Sequence, residues 1–297
     1  MNFIMKPPKR TFLLYLLPPV LLYAFTVFVP IILALYYGSF DWSGGMKMTF
    51  IGLKNYEELV QDGTFWQAFG NNLILTGLCV LGQVGLAFIF ASLLNSRMIR
   101  WKNMHRTLAY LPSILSAVVV GFIWTMVYDY NYGLLNTILR FFGHADAAKP
   151  WLDQPKLSLF LVSVPMIWQY IGFYLVILLA SFSSIDASVL EMAELDGATG
   201  IKKAVYITFP LIKRMILVCI TLCIAGNMKS FDHIFVMTGG GPGTSSIVMA
   251  LYAYIESFTR YRMGYGSAMS IMILILSLIC IGGSQQLLSF GLKNKEE

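Results

Sequence analysis

Few residue types in this sequence carry chemistry, and their spacing narrows what that chemistry can be. The three histidines, His105, His144 and His233, stand far apart. The four cysteines, Cys79, Cys219, Cys223 and Cys280, lie inside apolar runs and form no CxxC pair, so no zinc ribbon or thiol redox motif is expected. Cys219 and Cys223 are i,i+4 and could share a metal on one helix face, but small packing residues in an apolar helix are the favoured reading. No H-E-x-x-H, no G-x-S-x-G and no paired carboxylates on a helix face are found, which argues against catalysis. No G-x4-G-K-[ST] phosphate loop occurs either. Gly239-Gly240-Gly241-Pro242-Gly243 is rich in glycine but lacks the lysine that would reach a phosphate. What remains is a set of polar groups in an otherwise apolar setting: Gln169, Asn227, Lys229, Ser230, Asp232 and His233. Ionisable groups there are costly and are functional candidates by default. Lys229 and Asp232 are i,i+3, so a continuous helix would let them neutralise one another as an intramembrane ion pair.

The elements that hold these groups follow from composition. The chain has 297 residues, 57% hydrophobic and only 12% charged, against about 25% charged in soluble domains. So few charges could not cover a water-soluble surface, and a 14% aromatic content excludes disorder. The net charge of +6 forms no compact basic stripe, so no nucleic-acid partner is expected. Six runs are long enough to cross a bilayer as helices, at about 20 residues each: 12–37, 69–94, 107–128, 157–182, 215–237 and 265–290. They are too long and too uniformly apolar for barrel strands. The first run follows Lys6, Lys9 and Arg10 but is too long for a signal peptide and lacks a cleavage site, so it reads as a retained helix kinked by Pro18 and Pro19. The fold class is therefore an all-α integral membrane protein with six transmembrane helices.

Orientation comes from Lys and Arg. With both termini in the cytoplasm, thirteen basic residues fall inside, including Arg97, Arg100, Lys202, Lys203, Lys293 and Lys295, and seven outside, as the positive-inside bias requires. The outer connections are 38–68, 129–156 and 238–264. The inner connection 184–214 differs from an ordinary loop. Ser188 precedes Glu191 by capping-box spacing, which predicts a short helix through about Asp196. Gly197 and Gly200 supply a stop and a turn. A second short helix, 201–208, then leads to Pro210 at the start of the fifth span. The pattern is a helix–turn–helix elbow, although a plain basic loop would carry many of the same residues.

Within that loop, Glu191-Met192-Ala193, Gly197 and Ile207-Thr208-Phe209-Pro210 resemble the EAA motif, E-A-A-x3-G-x9-I-x-L-P, of the membrane subunits of binding-protein-dependent ABC importers. Met192 and Phe209 depart from the consensus, and both remain apolar. The form Glu-Met-Ala-Glu-Leu-Asp-Gly-Ala is most similar to carbohydrate-uptake permeases of the maltose and glycerol-phosphate type. Phe50-Ile51-Gly52-Leu53-Lys54-Asn55-Tyr56, Thr238-Gly239-Gly240-Gly241-Pro242 and Tyr265-Gly266-Ser267-Ala268-Met269-Ser270 resemble further motifs of that family. The Phe50–Tyr56 and Thr238–Pro242 elements resemble those of the larger maltose-system permease rather than its smaller partner.

The resemblance implies a single importer transmembrane domain over 1–297, in the inner or plasma membrane of a bacterial cell, that forms half of a pathway for a sugar or related solute. The elbow becomes a coupling helix, with Glu191, Met192, Ala193, Asp196 and Gly197 docking on an ATPase. The implied partners are a second permease in a heterodimer, two ATP-binding subunits that carry the ATP and Mg, an extracytoplasmic solute-binding protein and the bilayer. The chain itself would bind no cofactor and have no ATPase site. The family's solute site, carried over from Trp168, Glu191 and Thr238, falls on Gln169, Tyr170, Phe173, Gly226, Asn227 and Ser230. The rival reading is an ion-coupled secondary transporter, for which only Lys229, Asp232 and His233 supply candidate coupling groups.

Overall fold

The computed structural model describes residues 9–96 and 99–293. Of the basic residues counted for orientation, Lys6, Arg97 and Lys295 lie outside the described residues. The chain is mainly helical. Among the described residues, five helices are long and apolar enough to cross a membrane: Leu13–Gly38, Gly63–Asn95, Ser158–Phe182, Gly200–Asn227 and Met263–Gln286. A sixth span exists only if the pair Lys102–Ile114 and Ala117–Tyr128, bent by 99°, is counted as one.

The chain divides into two compact units. One comprises residues 1–62 and 253–272. Its helix Lys9–Gly38 contains Pro18, Pro19 and Pro30. A short antiparallel hairpin, Phe40–Trp42 with Met48–Phe50, pairs Phe40 with Phe50 and Trp42 with Met48. The sequence predicted no strand there, only the outer connection 38–68. Ser43-Gly44-Gly45 lies between the two strands, with Gly44 at φ +91°. The Phe50–Tyr56 and Tyr265–Ser270 motifs meet in this unit. Asn55 Nδ2 donates to Gly38 O and Phe40 O, both at 2.9 Å. Gly264 lies so close that an added Cβ would stand 2.0 Å from Phe40 O. Arg262 forks onto both oxygens of Glu58 at 2.6 Å, and Tyr265 donates to Asp62 at 2.7 Å. Glu256, fully buried, is neutralised by Arg260 and Arg262.

The other unit comprises residues 63–252 and 273–297. Ser158–Phe182 is its central helix, packed on the Gly63–Asn95 helix, on Lys102–Tyr110 and on Phe209–Asn227. Gly172 permits one of these contacts, since a Cβ there would meet Ala109 O at 2.0 Å.

Two expected spans are corrected here. The third, 107–128, is not straight: Lys102–Tyr110 runs into a tight turn at Leu111–Ile114, and a new helix begins at Ala117. Pro112 opens that turn, where a lost N–H and the ring disfavour a continuing α-helix. The fifth, expected over 215–237, instead runs over Gly200–Asn227, breaks, and resumes as Asp232–Met237. The expected helix 201–208 is absorbed into it through a π-helical turn at Ala204–Thr208. The two resumed helices, Ala117–Tyr128 and Asp232–Met237, pack on each other, with Gly121 leaving room for Val236.

Candidate functional site

The elbow is built by local bonds. Its first helix is Ala187–Leu195, capped by Asp186, whose carboxylate accepts from Ser188 N at 3.0 Å. The Ser188–Glu191 capping box is thus replaced by a cap two residues earlier, because Asp186 already has the extended backbone that a cap requires. The Ser188 N–H holds the Asp186 carboxyl below the ordinary carboxylate range. Gly197 then takes φ +79°, and Ala198 N closes on Ala193 O at 2.9 Å, a left-handed helix stop. Lys203 bonds Glu194 at 2.8 Å across the turn. Glu191, Met192, Asp196 and Gly197 are exposed, while Ala193 is buried within the elbow. Leu195 and Ile201, not singled out in the sequence, are 88% and 83% exposed. Two apolar side chains at a polar turn are the signal that could have marked them.

The second site lies where the third and fifth spans break. A cavity of about 320 Å³ opens there. Of the six residues proposed for a solute path, Tyr170, Gly226, Asn227 and Ser230 line it, and Gln169 and Phe173 do not. Lys229, Asp232 and His233 also line it. The expected Lys229–Asp232 ion pair does not form, because the helix that would place them one turn apart ends at Asn227. Gln83, Met166 and Tyr174 are lining residues that sequence reasoning missed. Gln83, an amide in the middle of an apolar span, gave the only available signal.

Long-range bonds hold this wall. Gln169 is 1% exposed. It donates Nε2 to Leu115 O at 2.8 Å and pairs Oε1 with His233 Nε2 at 2.8 Å. One side chain therefore joins both breaks. Asn72 donates to Asn227 O at 3.1 Å and accepts from Met249 N at 2.8 Å. Asn71 and Gln67 bind the segment after the glycine-rich turn, at Ile247 O (2.8 Å) and Thr244 (3.0 Å). Irregular backbone at membrane depth is tolerated where it lines a cavity and finds such partners. Cys219 and Cys223 are buried, and Cys223 Sγ meets Gln83 Oε1 at 3.3 Å.

This arrangement offers no nucleophile–base pair and no cluster of metal ligands among the described residues. It offers a polar cavity between broken helices and an exposed elbow that leads into the fifth of them. Residues 83–294 match the family model described as binding-protein-dependent transport system inner membrane component. The chain is 33% identical over 264 residues to the probable ABC transporter permease protein YurN of Bacillus subtilis (strain 168), covering 88% of this chain and 90% of that protein. It is 28% identical to the probable starch degradation products transport system permease protein AmyD of Thermoanaerobacterium thermosulfurigenes, covering 90% of each. Its fold is that of a bacterial ABC transporter involved in the import of the acidic polysaccharide alginate, with TM-score 0.82 at 24% identity over 95% of this chain and 96% of that one.

Proposed function

The chain belongs to the family of binding-protein-dependent transport system inner membrane components, and from that premise we propose that it forms half of the translocation pathway for a sugar or related solute. It is a multi-pass membrane permease subunit of an ABC importer. The observation that carries this reading is the family match over residues 83–294, which includes both the elbow and the cavity. A sugar is favoured by the relative that is named for starch degradation products. A cavity with aromatic faces beside polar groups also suits a ring that is apolar on its faces and hydroxylated at its edges.

In this reading an external binding protein delivers the solute, and a second permease supplies the other half of the pathway. Two ATPase subunits, carrying ATP and Mg, dock on the elbow. Both termini then lie in the cytoplasm. Glu191 offers a charge-assisted contact, Met192 an adaptable apolar one, and Gly197 with Asp196 sets the turn that presents them. Closure of the ATPases on ATP pulls the elbows together, and the cavity alternates between its two openings as a two-state element.

The test is uptake by the reconstituted assembly. Uptake is expected to require ATP and to ignore a collapsed ion gradient, and the opposite result would establish the secondary-transporter reading. Gly197→Asp sharpens the test. Asp tolerates the left-handed backbone better than most residues, so the turn survives while a charged side chain is added at the docking face. The expected result is a membrane-inserted chain that fails to retain ATPase subunits on co-purification. Normal retention and uptake would remove the elbow from the coupling role.

A further inference from the structure

The connection between Tyr128 and Ser158 contains a helix that neither the cavity nor the elbow uses. Leu134–Phe141 is eight residues long, too short to persist in water by itself. One buried side chain ties it down. Asn136 is 0% exposed. Its Nδ2 donates to Tyr130 O at 3.2 Å and to Lys149 O at 3.0 Å, and its Oδ1 accepts from Trp151 Nε1 at 2.8 Å. The start and the end of the connection are thereby closed on one residue. The start is also tight. Asp129 Oδ1 accepts from Asn131 N and Tyr132 N, both at 2.8 Å, and a Cβ on Gly133 would stand 2.3 Å from Asp129 O.

The other side of the helix is apolar and uncovered. Leu134, Ile138 and Phe141 recur at i, i+4 and i+7, the spacing of one helix face, about half a turn away from Asn136. All three are exposed, Phe141 to 83%, and so is Phe142 at the C-cap. Large apolar side chains gathered in one patch mark a contact surface. Position identifies what it contacts. Only residues 129–133 separate this helix from Ala117–Tyr128, and the two pack together. On Ala117–Tyr128, Val118, Phe122 and Met126 are exposed at i, i+4 and i+8, an apolar stripe suited to lipid. The patch continues that stripe past the end of the span. Its flanks fit the edge of a bilayer. Arg140 donates to Tyr130 O and Asn131 O, both at 2.8 Å, and lies over the Tyr130 ring. Lys149 lies over the Trp151 ring, 4.7 Å from its centre. Tyr and Trp concentrate at headgroup level, and a helix with one apolar face and basic flanks lies in that plane.

We propose that Leu134–Phe141 is an interfacial anchor. Its Leu134, Ile138 and Phe141 face, extended by Phe142, lies in the boundary between phospholipid headgroups and acyl chains. The connection precedes the membrane-crossing helix Ser158–Phe182 and the elbow follows it, so the anchor holds the bilayer surface opposite the elbow. It fixes the depth of Ala117–Tyr128 and Ser158–Phe182 at that surface. The inference requires membrane insertion alone and is independent of which solute crosses.

The test footprints the complete transporter in vesicles of phosphatidylcholine and phosphatidylglycerol, with no binding protein present. One reagent is the hydroxyl radical, generated in water. The other is a lipid-dissolved diazirine that yields a carbene on illumination. Oxidation of Phe141 is expected about tenfold below that of the same residue in a free peptide, the partition of one buried aromatic side chain. The carbene is expected to label Leu134, Ile138 and Phe141. Phe141→Asp should restore oxidation at Phe142, and Phe141→Leu should keep Phe142 protected, both read on assembled complex. Oxidation of wild-type Phe141 at the free-peptide rate would leave the face in water and overturn the anchor. Protection without carbene labelling would overturn it by placing the face against another subunit. Protection that appears only on adding the binding protein would overturn it by making the face that protein's docking surface. Full protection of Phe142 in Phe141→Asp would overturn it too, since the apolar face would then hold nothing.

Discussion

The elbow and the cavity wall are held by opposite kinds of bond. In the elbow, Asp186 caps Ser188, Ala198 closes on Ala193, and Lys203 reaches Glu194, so every partner lies within nine positions. In the wall, Gln169 reaches Leu115 across 54 positions and His233 across 64, and Asn72 reaches Met249 across 177. The elbow can keep its shape when it is displaced as a whole. The wall keeps its shape only while several spans stay in register. The proposed function asks one part to transmit force and the other to change its opening, and those two tasks need that difference. A locally closed motif moves as a body, whereas a wall tied across spans must rearrange when the spans move.

The largest expected effect that would sharpen this comparison is in the wall's packing. Gly172→Ala drives a methyl toward Ala109 O, with no room to move except by separating two helices. We expect a loss of about 1–3 kcal/mol or more, read as a lowered unfolding midpoint of the purified assembly, with the elbow unaffected. An unchanged midpoint would mean that the contact is looser than the geometry states. The next effect is Asn72→Ala, which leaves Met249 N without its partner in a buried site, while Asn227 O keeps its bonds from Ser230. A cost of about 1–3 kcal/mol is expected, with protection of backbone amides lost at Met249 and not at Ser188. Equal loss at both would break the distinction between the two regions.

The smallest effect is in the elbow and depends on pH. The Asp186 carboxyl is lowered by its bond from Ser188 N–H. Its stabilising cap is thus fully present above the unfolded carboxylate value of about 3.9 and is lost as pH falls through the lower folded value. Hydrogen exchange at Ser188 should accelerate on acidification, and Asp186→Asn should flatten that dependence while leaving exchange in the wall unchanged. No pH dependence in the wild type would show that the cap contributes nothing in solution.

Legibility followed the same division. The stop at Gly197 was readable because a glycine after an apolar helical stretch has few other uses. The cap was misplaced by two residues because Ser188 and Asp186 are both good caps, and only the backbone conformation decides between them. In the cavity, Asn227 and Ser230 were legible as polar groups in an apolar span, whereas Tyr170 and Gly226 came from the family resemblance alone. Gln169 was legible as a polar group in an apolar span, but nothing in sequence says that its amide meets Leu115 and His233. The Lys229–Asp232 pairing failed because it assumed a helix through the break. Apolar content alone gives no sign of that break, because the residues remain suitable for a membrane on both sides of it.

Sequence alone determined that this chain is an apolar helical membrane protein with a turn of defined shape between its fourth and fifth spans. Span length, charge scarcity and local capping are all properties of neighbouring residues. Only the tertiary structure decided where the third and fifth spans break and which polar groups those breaks bring together. Whether a buried amide is open to a ligand or tied into the wall depends on which distant carbonyl comes within about 3 Å of it in the packed fold, a distance set by helix packing rather than by order along the chain.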